Sequence, residues 1–172
     1  MRDVRIPMLV LAVLAAATSA AGAQALYSPP EGDFSIAFPD KPQVQSRPAN
    51  RSKDIAIRRY VDDQPSRVMT LSIEDYPDSA LPAAANAGIY DHMLRNRADD
   101  RDEQLISTRA ARLGGKPCLE GRFTDKTGNI EIVRVLLIGD RVYQLTYAMP
   151  EGAEPNGADA AFFNSFRITP TP

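Results

Sequence analysis

From Leu105 to Ala148 the chain reads as four apolar-rich runs separated by turns too short for anything but hairpins. Gly114-Gly115-Lys116-Pro117 separates Leu105–Ala110 from Cys118–Thr124, and Lys126–Asn129, around Gly128, leads into Ile130–Ile138. Gly139-Asp140 then precedes Val142–Ala148 and is a two-residue loop of the Gly-X kind that hairpins prefer. Parallel neighbours would need crossovers of a dozen or more residues, so these four strands are antiparallel. The turns also set the register. They place Glu120 opposite Arg134, as a structural ion pair, and Leu136 opposite Tyr143. Ile130–Ile138 is apolar on both faces apart from Glu131 and Arg134, which predicts a central strand covered on each side.

The first half follows the same rules. Tyr27–Gly32 is a Pro-rich lead-in. Phe34, Ile36 and Phe38 alternate with Ser35 and Ala37, as in a strand with one buried face. Residues 43–53 are polar and contain proline, and read as an exposed loop; Asn50-Arg51-Ser52 within it matches a glycosylation sequon. Ile55, Ile57 and Val61 mark a second strand and Met69, Leu71 and Ile73 a third, with a hairpin loop over Asp62–Ser66. Pro77-Asp78-Ser79 is a helix-start signal. Leu81, Ala85, Ile89 and Met93, with Tyr90 and Leu94 beside them, predict an amphipathic helix of some sixteen residues lying on the sheet. The charged stretch Asp99–Glu103 ends it as a solvated turn. Near the C-terminus, Asn156 or Gly157 caps a short helix carrying Phe162, Phe163 and Phe166, and Ile168 is the last anchor. The order is β-ββ-α-ββββ-α. The expected class is α+β, a largely antiparallel sheet of about six or seven strands packed with one long and one short helix.

The N-terminus carries an address. Arg2 and Arg5 precede an apolar run, Ile6–Ala17, and small residues from Ser19 to Ala23. That order is a secretory signal peptide over residues 1–23, cleaved after Ala23 or Ala25. The run is shorter than the roughly 20 apolar residues a spanning helix needs. One domain over 26–169 and a tail, 170–172, complete the expected organisation. The chain has 172 residues, 20 basic and 22 acidic side chains and a single cysteine. Cleavage removes Arg2, Asp3 and Arg5, which leaves the exported chain acidic. Cys118 has no internal partner, and its neighbours Lys116, Pro117, Leu119 and Glu120 do not make a thiolate site; it reads as a small core hydrophobe.

Two segments carry a resemblance. Tyr27-Ser28-Pro29-Pro30, with Phe34-Ser35-Ile36-Ala37-Phe38-Pro39-Asp40-Lys41-Pro42, resembles the first strand of small exported proteins with the PsbP/Mog1-like fold. Arg141-Val142-Tyr143-Gln144-Leu145-Thr146-Tyr147 followed by Phe162-Phe163-Asn164-Ser165-Phe166 resembles their close. The element order fits over most of the mature chain. Members of that group are mostly accessory or adaptor proteins, among them photosystem subunits, Ran-GTPase binders and secretion chaperones, and many exported bacterial members remain uncharacterised. The resemblance implies a binding or accessory role. It brings no active-site signature.

The residues themselves exclude several chemistries. The single histidine, His92, falls on a polar face of the long helix beside Asp91, and no Gly-x-Ser-x-Gly elbow exists. One His and one Cys do not build a transition-metal site, and Asp99, Asp100, Asp102 and Glu103 lack the glycine and spacing of a calcium loop. Gly114-Gly115-Lys116 is too short for a phosphate loop and precedes a strand. No cofactor or metal is expected, and the acidic, exported chain does not suit nucleic acid. Surface recognition remains. Arg58, Arg59 and Tyr60 lie together on one strand, and Tyr143 and Tyr147 share a face of another; Arg and Tyr are the residue types interfaces favour. These five form the candidate interaction surface. The expectation is an exported, non-enzymatic domain, periplasmic or secreted, that recognises a protein or envelope component. The alternative is a small-molecule or lipid carrier with a pocket between helix and sheet, where Gly88, Ala84 and Ala85 would let the helix sit close. A hydrolase using a carboxylate pair is the remotest reading.

Overall fold

Ten strands and two helices form in the order β-β-β-β-β-α-β-β-β-β-α-β in the computed structural model, which describes residues 25–49, 52–77, 87–153 and 157–169. The expected leader, the sequon, the helix start at Asp78-Ser79 with Leu81, Ala84 and Ala85, the Asn156 cap and the tail lie outside the described residues. Seven strands make the main antiparallel sheet: β3 (Gln43–Ala49), β4 (Ser52–Gln64), β5 (Arg67–Asp75), β9 (Arg141–Met149), β8 (Ile130–Ile138), β7 (Lys116–Thr124) and β6 (Gln104–Leu113), in that spatial order. A small sheet pairs β2 (Phe34–Phe38) with β1 (Ala25–Tyr27) on one side and β10 (Arg167–Ile168) on the other. The α+β class and the hairpin order are as the sequence predicts.

The turn chemistry explains the registers. Gly114 and Gly115 both take positive φ, 56° and 78°, and close the β6–β7 hairpin; Gly139, at φ 57°, opens the β8–β9 turn. Glu120 stands opposite Arg134 and Leu136 opposite Tyr143, as the turns dictate. Three strands lie outside the expected order: β1, β10 and, the longest, β3. Residues 43–49, predicted as loop, form edge strand β3. Gln43, Gln45, Ser46 and Arg47 are exposed there, so the strand carries no buried-face alternation. Pro48 is tolerable because an edge strand has N–H groups with no ladder partner to supply.

Two cores flank the sheet. On one face Tyr60, Met69, Leu71, Ile73, Leu136, Tyr143, Leu145 and Tyr147 pack against Phe34, Ile36 and Phe38 of β2 and against Phe162, Phe163 and Phe166 around α2 (Ala158–Ser165). On the other face α1 (Ala87–Arg101) lays Tyr90, Leu94 and Ala98 over Phe123, Val133, Val135, Leu137 and Val142. Strand β8 therefore serves both cores, with Ile132 and Leu136 on one side and Val133, Val135 and Leu137 on the other. The close approach of α1 is made by a sheet glycine: a Cβ on Gly121 would stand 3.1 Å from Leu94 and 2.8 Å from Phe123. Gly88, expected in that role, is exposed on the helix. No helix among the described residues is long and apolar enough to cross a membrane.

Candidate binding groove

The registers lay out the α1 face of the sheet as a grid. One row runs Gln45, Arg59, Ser72, Gln144, Val135 across β3, β4, β5, β9 and β8. The next runs Gln43, Val61, Thr70, Thr146, Val133, and the one after it Asp63, Val68, Ala148, Glu131. The β7 and β8 columns are apolar apart from Glu131, and α1 packs there and on β6. The β3, β4, β5 and β9 columns are mostly polar, and a groove of about 640 Å³ lies over them, beside the C-terminal turn of α1. Hydrophobic burial thus decides where the helix sits: it covers the columns that gain from leaving water and not those that do not.

The helix end forms one wall. Asp102 takes φ 57°, the left-handed conformation that ends helices, and the Glu103 amide donates to the Ala98 carbonyl at 3.0 Å. This folds Glu103 back beneath the helix. Arg97 bonds Glu131 and lies 3.3 Å from Glu103, while Arg101 reaches Glu103 at 3.1 Å and Glu131 at 3.3 Å. Arg97 also sits 5.0 Å from the Phe123 ring centre. Burial lowers the Arg97 guanidinium pKa and raises that of the Glu103 carboxyl. The charged stretch expected to be solvated is therefore, at Glu103, part of a buried ion network. At the other wall Asp125 closes its own loop, accepting bonds from the amides of Thr127 and Asn129 and from both their side chains.

The five residues expected to share an interaction surface divide between the two faces. Arg59 lines the groove, where its Nε donates to Ser72 Oγ at 3.3 Å. Burial, with Arg47 and Arg101 nearby, lowers its pKa. Arg58 is on the opposite face, in a network in which it pairs with Asp33 at 3.2 Å and Asp75 at 3.4 Å, and Arg141 pairs with the same two carboxylates. Tyr60, Tyr143 and Tyr147 are 2%, 3% and 3% exposed and belong to the α2-side core. The rings therefore supply packing, and of the five only Arg59 belongs to the groove. Thr70, Gln144 and Thr146 complete its polar floor and were missed because alternation shows which side chains share a face but not which part of that face a helix covers. His92 is exposed on α1 and bonds Asn96 at 3.1 Å, outside the groove lining. Cys118 is buried, and burial pushes its thiol up to about 11.

Neither a protein-family model nor a curated protein matches the sequence. The solution structure of cyanobacterial PsbP (CyanoP) from Synechocystis is similar, with a TM-score of 0.60 and 10% identity over 91% of this chain and 99% of that one. A crystal structure from Bacteroides thetaiotaomicron has a TM-score of 0.45 and 12% identity, over 84% of this chain and 48% of that one. Paired with the seven-stranded antiparallel sheet and its two flanking helices, the first of these likenesses shows that the chain has the PsbP-like fold.

Proposed function

We propose that the protein is an exported, non-enzymatic binding or accessory domain that recognises a protein or envelope component, and that the groove beside α1 is its recognition face. The observation that carries this reading is the polar half of the sheet that the described residues leave uncovered: a strand face bearing Arg59, Thr70, Ser72, Gln144 and Thr146, beside a helix that buries the apolar half. The PsbP-like fold and the signal-like leader agree with it. Carriage of a small molecule is the second reading, and its place changes. The seam between α1 and the sheet is filled by Leu94, Phe123 and Val133, each fully buried, so a ligand would occupy the groove and not the seam.

Site-specific photo-crosslinking in the exporting cell tests this. A crosslinker at Gln144, in the groove, is expected to give a discrete product that disappears with Arg59→Glu. The same crosslinker at Arg109, which is exposed on edge strand β6, is expected to give none. Equal products from both positions, or products insensitive to Arg59→Glu, would remove the groove from the function. Native mass spectrometry of the gently purified protein separates the readings: a reproducible added mass favours the small molecule.

A further inference from the structure

Three arginines among the described residues line the groove: Arg59, Arg67, which bonds the Tyr147 hydroxyl, and Arg101. Arg101 is held by Glu103 and Glu131, and Glu131 is held in turn by Arg97. Asp125 is consumed by its own loop. Arg59 spends its Nε on Ser72 Oγ, and among the described residues no carboxylate lies within ion-pair distance of it. Burial and the like charges of Arg47 and Arg101 disfavour its ionised form, against a smaller favourable effect of Glu74. A half-buried guanidinium in that setting is stabilised by an anion from outside, and its planar fork suits a planar carboxylate. The floor changes character along the strands: from Arg59, Ser72 and Gln144 it passes to Val61 with Thr70 and Thr146, and then to Val68 and Ala148. Asp63 is exposed at the far end, about 13 Å from Arg59 at strand spacing, and Arg67 stands at that end too, opposite Gln64. A volume of about 640 Å³ is in the range of small-molecule sites.

We infer that the groove binds one soluble organic carboxylate, its carboxylate group on the Nη atoms of Arg59 and its apolar body over Val61, Val68 and Ala148. The inference rests on the groove being the recognition face and names the chemistry that face selects.

Octanoate, titrated into the isotope-labelled mature protein and followed by NMR, is the probe. Saturable shifts are expected at Thr70, Ser72 and Gln144. Octan-1-ol, which lacks the charge, and inorganic phosphate, which lacks the body, are expected to leave those signals in place. Arg59→Gln is expected to weaken octanoate binding at least about tenfold, the loss of a charge-assisted bond. Gln144→Glu, which sets a carboxylate across Ser72 from Arg59, is expected to do the same in a protein whose charged partner is intact, so a folding defect at position 59 does not decide the matter. Arg109→Gln should bind as the parent does. The inference is overturned by absence of saturable shifts, by octan-1-ol or phosphate competing equally, or by both groove variants binding as tightly as the parent. If the Gln144 crosslink persists while octanoate is silent, the carboxylate fails and the recognition face stands; if octanoate binds without any crosslink, the carboxylate stands and the groove takes a small molecule in place of a macromolecular partner.

Discussion

Glu120 shows what a single residue contributes when its register is fixed by a turn. Its side chain is 7% exposed and accepts bonds from Arg109 Nε at 2.5 Å and Arg134 Nε at 2.8 Å, while Arg134 lies 4.4 Å from the centre of the Phe163 ring. The pair joins β7 to β8 and, through the ring, to α2. Removing the carboxylate leaves Arg134, with a side chain 13% exposed, without its counter-charge. Glu120→Ala is therefore expected to destabilise the fold by about 3 kcal/mol, read as a lower urea midpoint at unchanged slope. A shift within a few tenths of a kcal/mol would mean that Arg109 and Arg134 are satisfied by water. This contact was legible in the sequence because a hairpin turn determines who stands opposite whom. The tyrosines show the other side of that logic. Tyr143 and Tyr147 do share a face, as alternation requires, but only the arrival of α2 and the small sheet over that face turns it into core. The contacts that bring in the small sheet join residues far apart in the chain, as in the bond the Ala37 amide donates to Ser165 Oγ at 2.9 Å, and no local pattern encodes them.

At the scale of elements, the same long-range dependence decides how α1 sits. Periodicity predicts the helix and its apolar stripe, and Tyr90 and Leu94 are its buried members. What periodicity does not show is the matching vacancy on the sheet, which is Gly121. Any side chain there meets Leu94 and Phe123, so Gly121→Ala must either lift α1 or displace Phe123 and with it Arg97. The expected cost is about 1–3 kcal/mol, with faster amide exchange in residues 94–101 than in β9. Equal protection of α1 in the two proteins would show that the Phe123 ring yields instead. Strand β3 was missed for a different reason. Its side chains report solvent, not a core, and an edge strand is held by backbone pairing that leaves little trace in hydropathy. The groove inherits that blindness, since its floor is built from Thr70, Ser72, Gln144 and Thr146, residues that would be equally at home on any solvated strand face.

Among the described residues the two faces of the main sheet are treated differently: one is closed by the small sheet and α2, the other half closed by α1. The closed side depends on the extreme N-terminus of the described chain. Strand β1 pairs Ala25 with Phe38, Leu26 with Ala37 and Tyr27 with Ile36, and the Tyr27 ring lies within 6.4 Å of the rings of Phe34, Phe38 and Tyr60. The signal peptide expected from the sequence would be cleaved after Ala23 or after Ala25. The first leaves β1 whole, preceded by Gln24. The second removes Ala25 and places a charged amine on Leu26 inside a three-residue strand. We therefore expect the exported protein to begin at Gln24, and intact mass and N-terminal sequencing of the exported fraction check this directly. A chain beginning at Leu26, or one retaining the leader, would contradict it. Two purified chains starting at Gln24 and at Leu26 separate the structural argument from the enzyme's own preference. Loss of the Ala25–Phe38 pairing is expected to cost about 1 kcal/mol and to loosen β1 first, exposing Tyr27. Because β2 takes its other edge from β10, which follows α2, that loosening would be felt in the α2-side core and would leave the groove on the opposite face unchanged.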